Sequence, residues 1–339
     1  MLQYSICLTP RYERGGPASF QRRLEAGLIR RGYHVTYDLH EADVKSVLVI
    51  GGTRQIGPLL QLRRKGVRIV QRLNGMNWIH RQRSTGLRHY IRAEYGNWLL
   101  AFTRRFLVDQ VVYQSNFSRQ WWQRIYGSTV HPDGVIYNGV DLADFHPDGE
   151  GSPPEKQIRL LVVEGNLGGG YENGLETAAL LAGEIARRQP LPLELMVAGG
   201  VSSTLQAEWQ QRSPVPVQFI GVVARERIPA LDRSAHLLYA ADINAACPNS
   251  VIEALACGLP VLAFDSGALN ELVLGQAGRV VPYGGNPWKL DPPDVPALAQ
   301  ASLEILSNWQ MSHQAARQRA EEAFGLDTMV ERYVQALVA

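Results

Sequence analysis

Cysteines and long apolar runs are scarce in this sequence, and each scarcity excludes a class of protein. The three cysteines in 339 residues, Cys7, Cys247 and Cys257, are an odd number without metal-ligand spacing, which argues against a disulfide framework or a zinc site. No apolar run approaches the roughly 18 residues of a membrane-spanning helix. Because the first residues also lack the basic start and apolar region of a signal peptide, we expect a cytoplasmic protein.

Two motifs with a known chemistry are also missing. No Gly-x-Gly-x-x-Gly motif follows the first strand predicted in either half of the chain, which disfavours a nicotinamide-dependent oxidoreductase. No Asp-x-Asp pair stands at a predicted strand end, so we expect no divalent metal and no other cofactor.

The small net charge of +2 conceals an uneven distribution of charge along the chain. Residues 1–150 contain 21 Lys and Arg against 12 Asp and Glu, whereas residues 151–339 contain 13 against 20. A basic half suits an anionic substrate, an anionic membrane surface or nucleic acid, although opposite charges would equally help two halves to face each other. Since no nucleic-acid-reading motif is present, we expect no nucleic-acid partner.

Short β-rich runs alternate with helical patterns along the whole chain, which predicts parallel sheets wrapped by helices. The predicted strands are residues 4–8, 34–37, 46–50, 67–73, 110–114 and 135–137 in the first half, and residues 158–164, 193–198, 217–220, 237–240, 261–264 and 279–281 in the second. The polar, turn-rich segment 148–156 between the two series is typical of a linker. We therefore predict two doubly wound α/β domains, residues 1–150 and 151–325.

Ligands of such open sheets bind beyond the carboxyl ends of the strands, so two domains facing each other would enclose a cleft between those loops. In the first domain, Gly15 and Gly16 follow the first strand and let the backbone approach a ligand closely. In the second domain, the candidate segments are the glycine loop 165–170, Gly199 with Gly200, Gly221, and residues 248–250.

Residues 247–264 predict a turn, a helix that opens at Asn249 or Ser250, a glycine stop and a buried strand. The first N–H groups of such a helix carry partial positive charge, and a phosphate suits that position. Glu253 has two interpretations. It closes a capping box with Ser250, or it accepts hydrogen bonds from both ribose hydroxyls of a nucleotide.

Together these motifs resemble the retaining glycosyltransferases of glycosyltransferase family 4, which have the GT-B fold. The resemblance covers nearly the whole chain and rests on Gly15-Gly16 with its helix, the signature Ile136-Tyr137-Asn138-Gly139-Val140-Asp141, and segment 248–271. It implies that residues 326–339 form a helix crossing back to the first domain. It also implies transfer of a hexosyl group, with retention of anomeric configuration, from a nucleotide-diphosphate sugar (commonly a UDP-sugar) to a hydroxyl of a glycan or glycolipid, as in polysaccharide or glycoconjugate biosynthesis.

The same resemblance places the donor in the second domain and the acceptor in the first. Glu253 matches the second glutamate of the family's paired-glutamate motif, which holds the ribose. The departing diphosphate takes the proton of the incoming hydroxyl, so the protein positions the reactants and stabilises negative charge. The predicted catalytic residues are Asn74, Arg72 and Glu253, and the predicted nucleotide-sugar-binding residues are Gly15, Gly16, Asn166, Gly168, Gly169, Gly170, Gly221, Val222, Asn249, Ser250, Val251 and Glu253.

Three positions depart from the family pattern. The first glutamate of the paired motif falls at Ala245, and the arginine and lysine that neutralise the diphosphate are matched by Asn166 and Asn173. Losing both cations would cost roughly 3–6 kcal/mol unless another group replaces them. One replacement is a nest of backbone N–H groups in the triple-glycine segment 168–170, for which a plain flexible loop is the alternative.

A replacement cation could also come from the first domain, where Arg54 and Arg72 stand at predicted strand ends. A solvated surface position is the alternative for each. In the family, a histidine after the fourth strand of the first domain often contacts the donor sugar. Asn74 is the candidate for that contact here, and His80 is a competitor. The plain alternative for Asn74 is an Asn-Gly turn without a ligand contact.

Arginines and aromatic residues interleave between residues 81 and 124. This pattern suits sugar stacking, an anionic acceptor or a peripheral membrane contact through the basic domain, while helix-spaced aromatics in a core are the plain alternative. Two other functions stay open. The departures fit a nucleotide-sugar-binding module with a degenerate catalytic site, and the fold also fits a nucleotide-sugar epimerase.

Overall fold

The computed structural model describes residues 4–13, 15–168 and 172–338. Its backbone divides into unit one, Met1–Gly139 with Phe324–Ala339, and unit two, Val140–Ala323. The division therefore falls before segment 148–156, where the linker was predicted. The reason is that Val140 and Phe145 are buried, and Arg317 of unit two donates a 2.8 Å hydrogen bond to the Phe145 carbonyl.

Unit one is built on a parallel six-stranded sheet, as far as its residues are described, with the strand order β2-β1-β3-β4-β5-β6. Its central strands are apolar runs buried on both faces, as expected for a sheet covered by helices on each side. The strands are β1 Ser5–Thr9, β2 His34–Thr36, β3 Val44–Ile50, β4 Arg68–Leu73, β5 Gln110–Tyr113 and β6 Asp133–Val135, and the helices are α1 Gly15–Arg30, α2 Ile56–Arg64, α3 Leu87–Phe106 and α4 Asn116–Tyr126.

Unit two repeats the architecture with the strand order β12-β11-β10-β7-β8-β9, again all parallel within the described residues. Its strands are β7 Ile158–Asn166, β8 Leu193–Gly200, β9 Val217–Gly221, β10 Leu237–Tyr239, β11 Val261–Phe264 and β12 Gly278–Val281. Its helices are α5 Glu172–Ala186, α6 Ser203–Arg212, α7 Ile228–Arg233, α8 Asn249–Ala256, α9 Leu269–Leu272, α10 Val295–Ser307 and α11 Trp309–Ala323.

Strand β7 is longer than the sequence predicted, because it continues past Glu164 to Asn166. The extension pairs Asn166 with Gly200 of β8. Glycine is needed on the β8 side, since a Cβ atom at Gly199, where φ is +142°, would lie 2.1 Å from the Glu164 carbonyl oxygen. The loop after β7 consequently begins two residues later than predicted.

The last helix, α12 Leu326–Val338, packs on helix α1 of unit one. Gly27 permits this close packing, because a Cβ atom there would lie 2.4 Å from Val330 Cγ2. A Cβ atom at Gly139 would likewise meet Leu326 and Met329 at 3.0 Å. The predicted return of this helix to the first domain is confirmed, as are the two doubly wound sheets. None of the described helices is long and apolar enough to cross a membrane.

Candidate nucleotide-sugar site

The strand order of unit two identifies the edge where a ligand would bind. The chain runs outward from β7 through β8 to β9 and then returns to β10 on the other side of β7. Ligands of open parallel sheets bind at such a switch point, beyond the carboxyl ends of the strands. The residues after β7 and β10 therefore form the centre of the candidate site.

Helix α8 begins at this edge, shortly after β10, and opens at Asn249 as predicted. Its N-cap residue is Pro248, which makes no side-chain hydrogen bond to the helix. The capping-box interpretation is therefore wrong, because it requires Ser250 to be the N-cap, and Ser250 lies inside the first turn. Ile252 N–H donates to the Pro248 carbonyl at 3.4 Å, so the N–H groups that precede it form the helix end.

Glu253 lies in the second turn of α8 and is partly buried. Its charge contributes to raising the pKa of Asp232 on α7, after the burial of Asp232 itself, which raises that pKa well above the usual range. Asp232 is 1% exposed, and neither of its carboxyl oxygens has a hydrogen-bond partner within the described residues. A neutral Asp232 beside Glu253 was not predicted, since an aspartate in a short helical segment ordinarily indicates a solvated position.

A second pair of carboxyl groups lies at the switch point itself. The backbone N–H of Asp242, in the segment after β10, donates a hydrogen bond to the Glu164 carboxyl group on β7. Burial and then the charge of Asp242 raise the pKa of Glu164 to about 8, and burial raises the pKa of Asp242 to about 6. This pair was not predicted from the sequence, because the two residues are far apart in the chain and only strand pairing brings them together.

The loop after β7 lines a cavity of about 410 Å³ in unit two. Asn166 is exposed there and its side-chain amide donates to the Gly168 carbonyl at 3.2 Å. Gly169 and Gly170 lie outside the described residues, so the predicted glycine nest stays a prediction. No lysine or arginine is among the described lining residues, which are Asn166, Gly168, Glu172, Ser202, Thr204, Leu205 and Glu208.

Ala245 occupies the place predicted for the first glutamate, and it is 5% exposed. Its carbonyl accepts a 2.8 Å hydrogen bond from Ala268 N–H. A Cβ atom at Gly267, where φ is +69°, would lie 2.4 Å from the same carbonyl oxygen. The segment around Ala245 is thus closely packed by the loop after β11.

Strand β9 ends in Gly221, and the next residue, Val222, is 80% exposed. No atom lies within 4 Å of a Cβ placed on Gly221, whose φ is +71°, so a positive φ and not crowding favours glycine there. Gly221 and Val222 were predicted to bind the nucleotide sugar, and an exposed apolar side chain at a strand end is suited to packing against a planar ring.

In unit one, the glycines after β1 begin helix α1, with Gly15 at φ +79°. A Cβ atom on Gly15 would meet only Pro17 Cδ, at 3.9 Å, so the chain itself leaves this position open. Gly16 is exposed in the first turn. Arg54, after β3, is exposed as well, with its guanidinium 5.6 Å from the centre of the Tyr95 ring.

Arg72 differs from the exposed strand-end cation that the sequence suggested. Its side chain is 1% exposed, donates to Asn138 Oδ1 at 2.9 Å and lies 3.7 Å from the centre of the Phe20 ring. Asn138 also accepts a 3.0 Å hydrogen bond from Gln114. Arg72 therefore links β4 to Asn138 of the signature 136–141. It would have to leave Asn138 and the Phe20 ring before it could contact a ligand.

Asn74 is partly exposed, and hydrogen bonds to its backbone carbonyl fix its position. Its carbonyl accepts hydrogen bonds from Trp122 Nε1 at 2.7 Å and Ser118 Oγ at 3.1 Å, and no hydrogen bond holds its side-chain amide among the described residues. Its competitor His80 is 5% exposed and lies 2.8 Å from Glu94 Oε1. His80 is thus buried and held by Glu94, which leaves Asn74 as the accessible residue of the two.

The described residues contain no group of three or more His, Cys, Asp and Glu that could hold a metal ion. The three cysteines are buried free thiols.

Comparisons with known proteins agree with this geometry. Residues 159–308, most of unit two, match the family described as "Glycosyl transferases group 1". A curated relative, D-inositol 3-phosphate glycosyltransferase of Rhodococcus erythropolis, is 26% identical over 189 residues, which are 51% of this chain and 42% of that protein. The match thus spans less than half of the relative's length.

Solved structures match over nearly the whole chain. Sucrose-phosphate synthase of Thermosynechococcus elongatus superposes with a TM-score of 0.75 at 17% identity, over 98% of each chain. Anabaena Alr3699/HepE in complex with UDP superposes with a TM-score of 0.69 at 14% identity, over 99% of this chain and 100% of that one. The chain has the GT-B fold.

Proposed function

We propose that this protein is a glycosyltransferase that moves a glycosyl group from a nucleotide-diphosphate sugar to a hydroxyl acceptor. The observation that carries the proposal is Glu253 in the second turn of α8, a helix that begins at the switch-point edge of unit two without a side-chain cap. The family match over residues 159–308 covers this helix. The Anabaena structures, which contain UDP and UDP-glucose, support a UDP-sugar as the donor.

In this proposal, the residues at the switch-point edge of unit two bind different parts of the donor. The first N–H groups of α8 face the diphosphate, and their partial positive charge stabilises it as the bond to the sugar breaks. Glu253 accepts hydrogen bonds from the ribose hydroxyls. Val222 packs against the base, and Gly221 leaves room for it.

The acceptor is proposed to bind unit one, with Asn74 as a contact to the transferred sugar. We propose a glycan or glycolipid hydroxyl as acceptor, transfer of a hexosyl group, and retention of anomeric configuration as in glycosyltransferase family 4. Retention through a same-face mechanism needs no protein nucleophile. The leaving diphosphate takes the proton of the incoming hydroxyl, and the protein acts by positioning and by charge stabilisation.

Isothermal titration calorimetry with UDP, UDP-glucose and the corresponding GDP and ADP compounds tests the donor site. Glu253→Gln should weaken binding of the preferred nucleotide about 10- to 150-fold, because hydrogen bonds to a charged group contribute about 1.5–3 kcal/mol. Glu226→Gln is the matched control, since Glu226 is an exposed carboxylate of the same unit. Equal affinity of Glu253→Gln and the wild type would refute the ribose contact.

Product analysis tests the reaction. Incubation with the bound donor and a panel of glycan acceptors should yield a glycoside whose anomeric proton coupling matches that of the donor. Inverted product would overturn the family 4 mechanism. Binding without transfer would support the degenerate module, and conversion of the donor without an acceptor would support an epimerase.

A further inference from the structure

Helix α3 of unit one carries an apolar stripe that faces solvent. Leu87 is 76% exposed, Ile91 59%, Trp98 52% and Phe106 55%, and Tyr95 is exposed as well. These positions recur every three or four residues, which is the spacing of one helix face. The stripe, here called the α3 stripe, consists of Leu87, Ile91, Tyr95, Trp98, Phe102 and Phe106.

The opposite face of α3 accounts for the packing of the helix in unit one. Ala93, Asn97, Leu99 and Thr103 are buried there, and the buried Arg104 donates to the Tyr113 hydroxyl at 2.8 Å. Of the α3 stripe, only Phe102 packs against this core, so the exposed members are not needed to hold the helix in place. The predicted explanation that the aromatic residues of this region are core residues holds for Trp121 and Trp122 of α4 and in part for Phe102, whereas the other five side chains of the stripe are exposed.

The rings of the α3 stripe are already ordered against one another. Tyr95 and Trp98 stack with an interplanar angle of 19° and Trp98 and Phe102 with 24°, while Phe102 and Phe106 are 5.1 Å apart between centres. A preordered aromatic surface loses little side-chain entropy when another apolar phase covers it. A contiguous exposed apolar patch of this kind marks an interaction surface.

The charges beside the stripe identify the kind of partner. Arg88 and Arg92 follow Leu87 and Ile91, and Arg105 precedes Phe106, so arginines stand at both ends. All three are exposed, and no ion pair holds them among the described residues. The one acidic residue of α3, Glu94, is neutralised by Arg81, whose Nε lies 2.6 Å away.

We propose that the α3 stripe with its flanking arginines is a docking surface for an anionic lipid bilayer. Aromatic and aliphatic side chains enter the boundary between headgroups and acyl chains, and the arginines meet lipid phosphates. A second copy of the chain fits the charges less well. Because arginines stand at both ends, parallel and antiparallel apposition both set arginine against arginine. The helix would lie on the membrane and not cross it, in keeping with its four arginines.

Flotation of the full chain with lipid vesicles tests the proposal without any nucleotide sugar, so its outcome does not depend on the proposed function. The wild type should bind vesicles of phosphatidylcholine with phosphatidylglycerol, bind pure phosphatidylcholine weakly, and detach at high salt. Arg88→Gln with Arg92→Gln should lower the partition coefficient on the anionic vesicles about 30-fold, from the contribution of each basic residue near a charged surface. Ile91→Ser with Trp98→Ser should lower it on both kinds of vesicle.

The matched control is Ile29→Ser with Leu180→Ser, which removes two exposed apolar side chains away from α3. Ile29 also precedes two arginines, but Arg30 and Arg31 are paired with Asp327. The control should bind as the wild type does. Because every substituted side chain is exposed, the melting temperatures of all variants should match that of the wild type.

Three results would overturn the proposal. One is the absence of binding to anionic vesicles, and another is wild-type binding by both α3 variants. The third is a lipid-free dimer, seen by sedimentation equilibrium, that Ile91→Ser with Trp98→Ser dissociates, since the stripe would then be the interface between two copies.

Discussion

Replacing Glu164 by glutamine should remove a defined part of the pH dependence of stability. Glu164 has its pKa raised to about 8 by burial and by the facing Asp242, against an ordinary value of 4.5. Between these two values the folded chain holds a proton that the unfolded chain has released. Stability from this group is complete below the ordinary pKa and is lost as the pH rises toward about 8.

The size of the effect follows from proton linkage. One extra proton in the folded state makes the free energy of unfolding fall by about 1.4 kcal/mol per pH unit. From about pH 6.5 to about pH 8 the wild type should therefore lose about 2 kcal/mol through Glu164. Glutamine cannot ionise, so Glu164→Gln should lack this component, and the difference between the two slopes measures it together with the change at the facing Asp242.

Most other titrating groups affect the wild type and the variant equally, and Asp242, with a pKa of about 6, titrates mainly below the window. Burial lowers the pKa of His236 to about 4 against an ordinary value of 6.5, so His236 affects stability mainly below the window and contributes equally to the wild type and the variant. Burial raises the pKa of Cys7 to about 12, and its thiol affects stability only above the window. Asp232 contributes equally to the wild type and the variant, because neither its burial nor its neighbours change.

Thermal unfolding followed by calorimetry at several pH values is the assay, with Glu226→Gln as the exposed-carboxylate control. The melting transition of unit two should fall with pH in the wild type and the control, at about 2–4 °C per kcal/mol, and less steeply in Glu164→Gln. Parallel slopes for the wild type and Glu164→Gln would refute the reasoning, since Glu164 would then be ionised in the folded protein.

Two further substitutions test the packing around the site. Gly199→Ala should destabilise unit two by about 3 kcal/mol or more, because the new Cβ atom meets the Glu164 carbonyl at a strained φ. The control Gly66→Ala, at φ +77° in open space, should cost only about 1 kcal/mol. Equal melting temperatures for the two variants would contradict this prediction. Asp232→Asn should raise the melting temperature near neutral pH and leave it unchanged in acid. The reason is that near neutral pH the buried Asp232 must take up a proton when the wild type folds. A loss of stability near neutral pH would contradict this, because it would show that the folded protein stabilises the ionised carboxylate.

The fold was predictable because its signals are local. Apolar runs such as β11, Val261–Phe264, are bounded by glycine and proline, and the helix start at Asn249 follows a turn in the sequence itself. The strand boundary that was predicted wrongly depends instead on a segment that is distant in sequence. Strand β7 runs on to Asn166 because Gly199 and Gly200 of another strand make room for it, and no window around β7 contains that information.

The charged groups of the site were less predictable, since their states depend on neighbours distant in sequence. An arginine at the end of a strand indicates an exposed cation, yet Arg72 is held by Asn138 and covers the Phe20 ring. An aspartate in the segment after β10 indicates a solvated loop, yet Asp242 faces Glu164. Residue type indicates a charge, and only the tertiary contacts determine whether that charge is present and where it is directed.

If the donor binds as proposed, the raised pKa values of Glu164 and Asp242 help to explain how the site binds a diphosphate without the cations that Asn166 and Asn173 replace. A diphosphate placed at the switch point would be repelled by ionised Glu164 and Asp242, and the described lining of the nearby cavity offers no arginine or lysine to offset that repulsion. A protonated carboxyl group removes the repulsion and donates a hydrogen bond to a phosphate oxygen. Helix N–H groups then supply the remaining positive potential, which requires the α8 end to stay free of a side-chain cap, as Pro248 ensures.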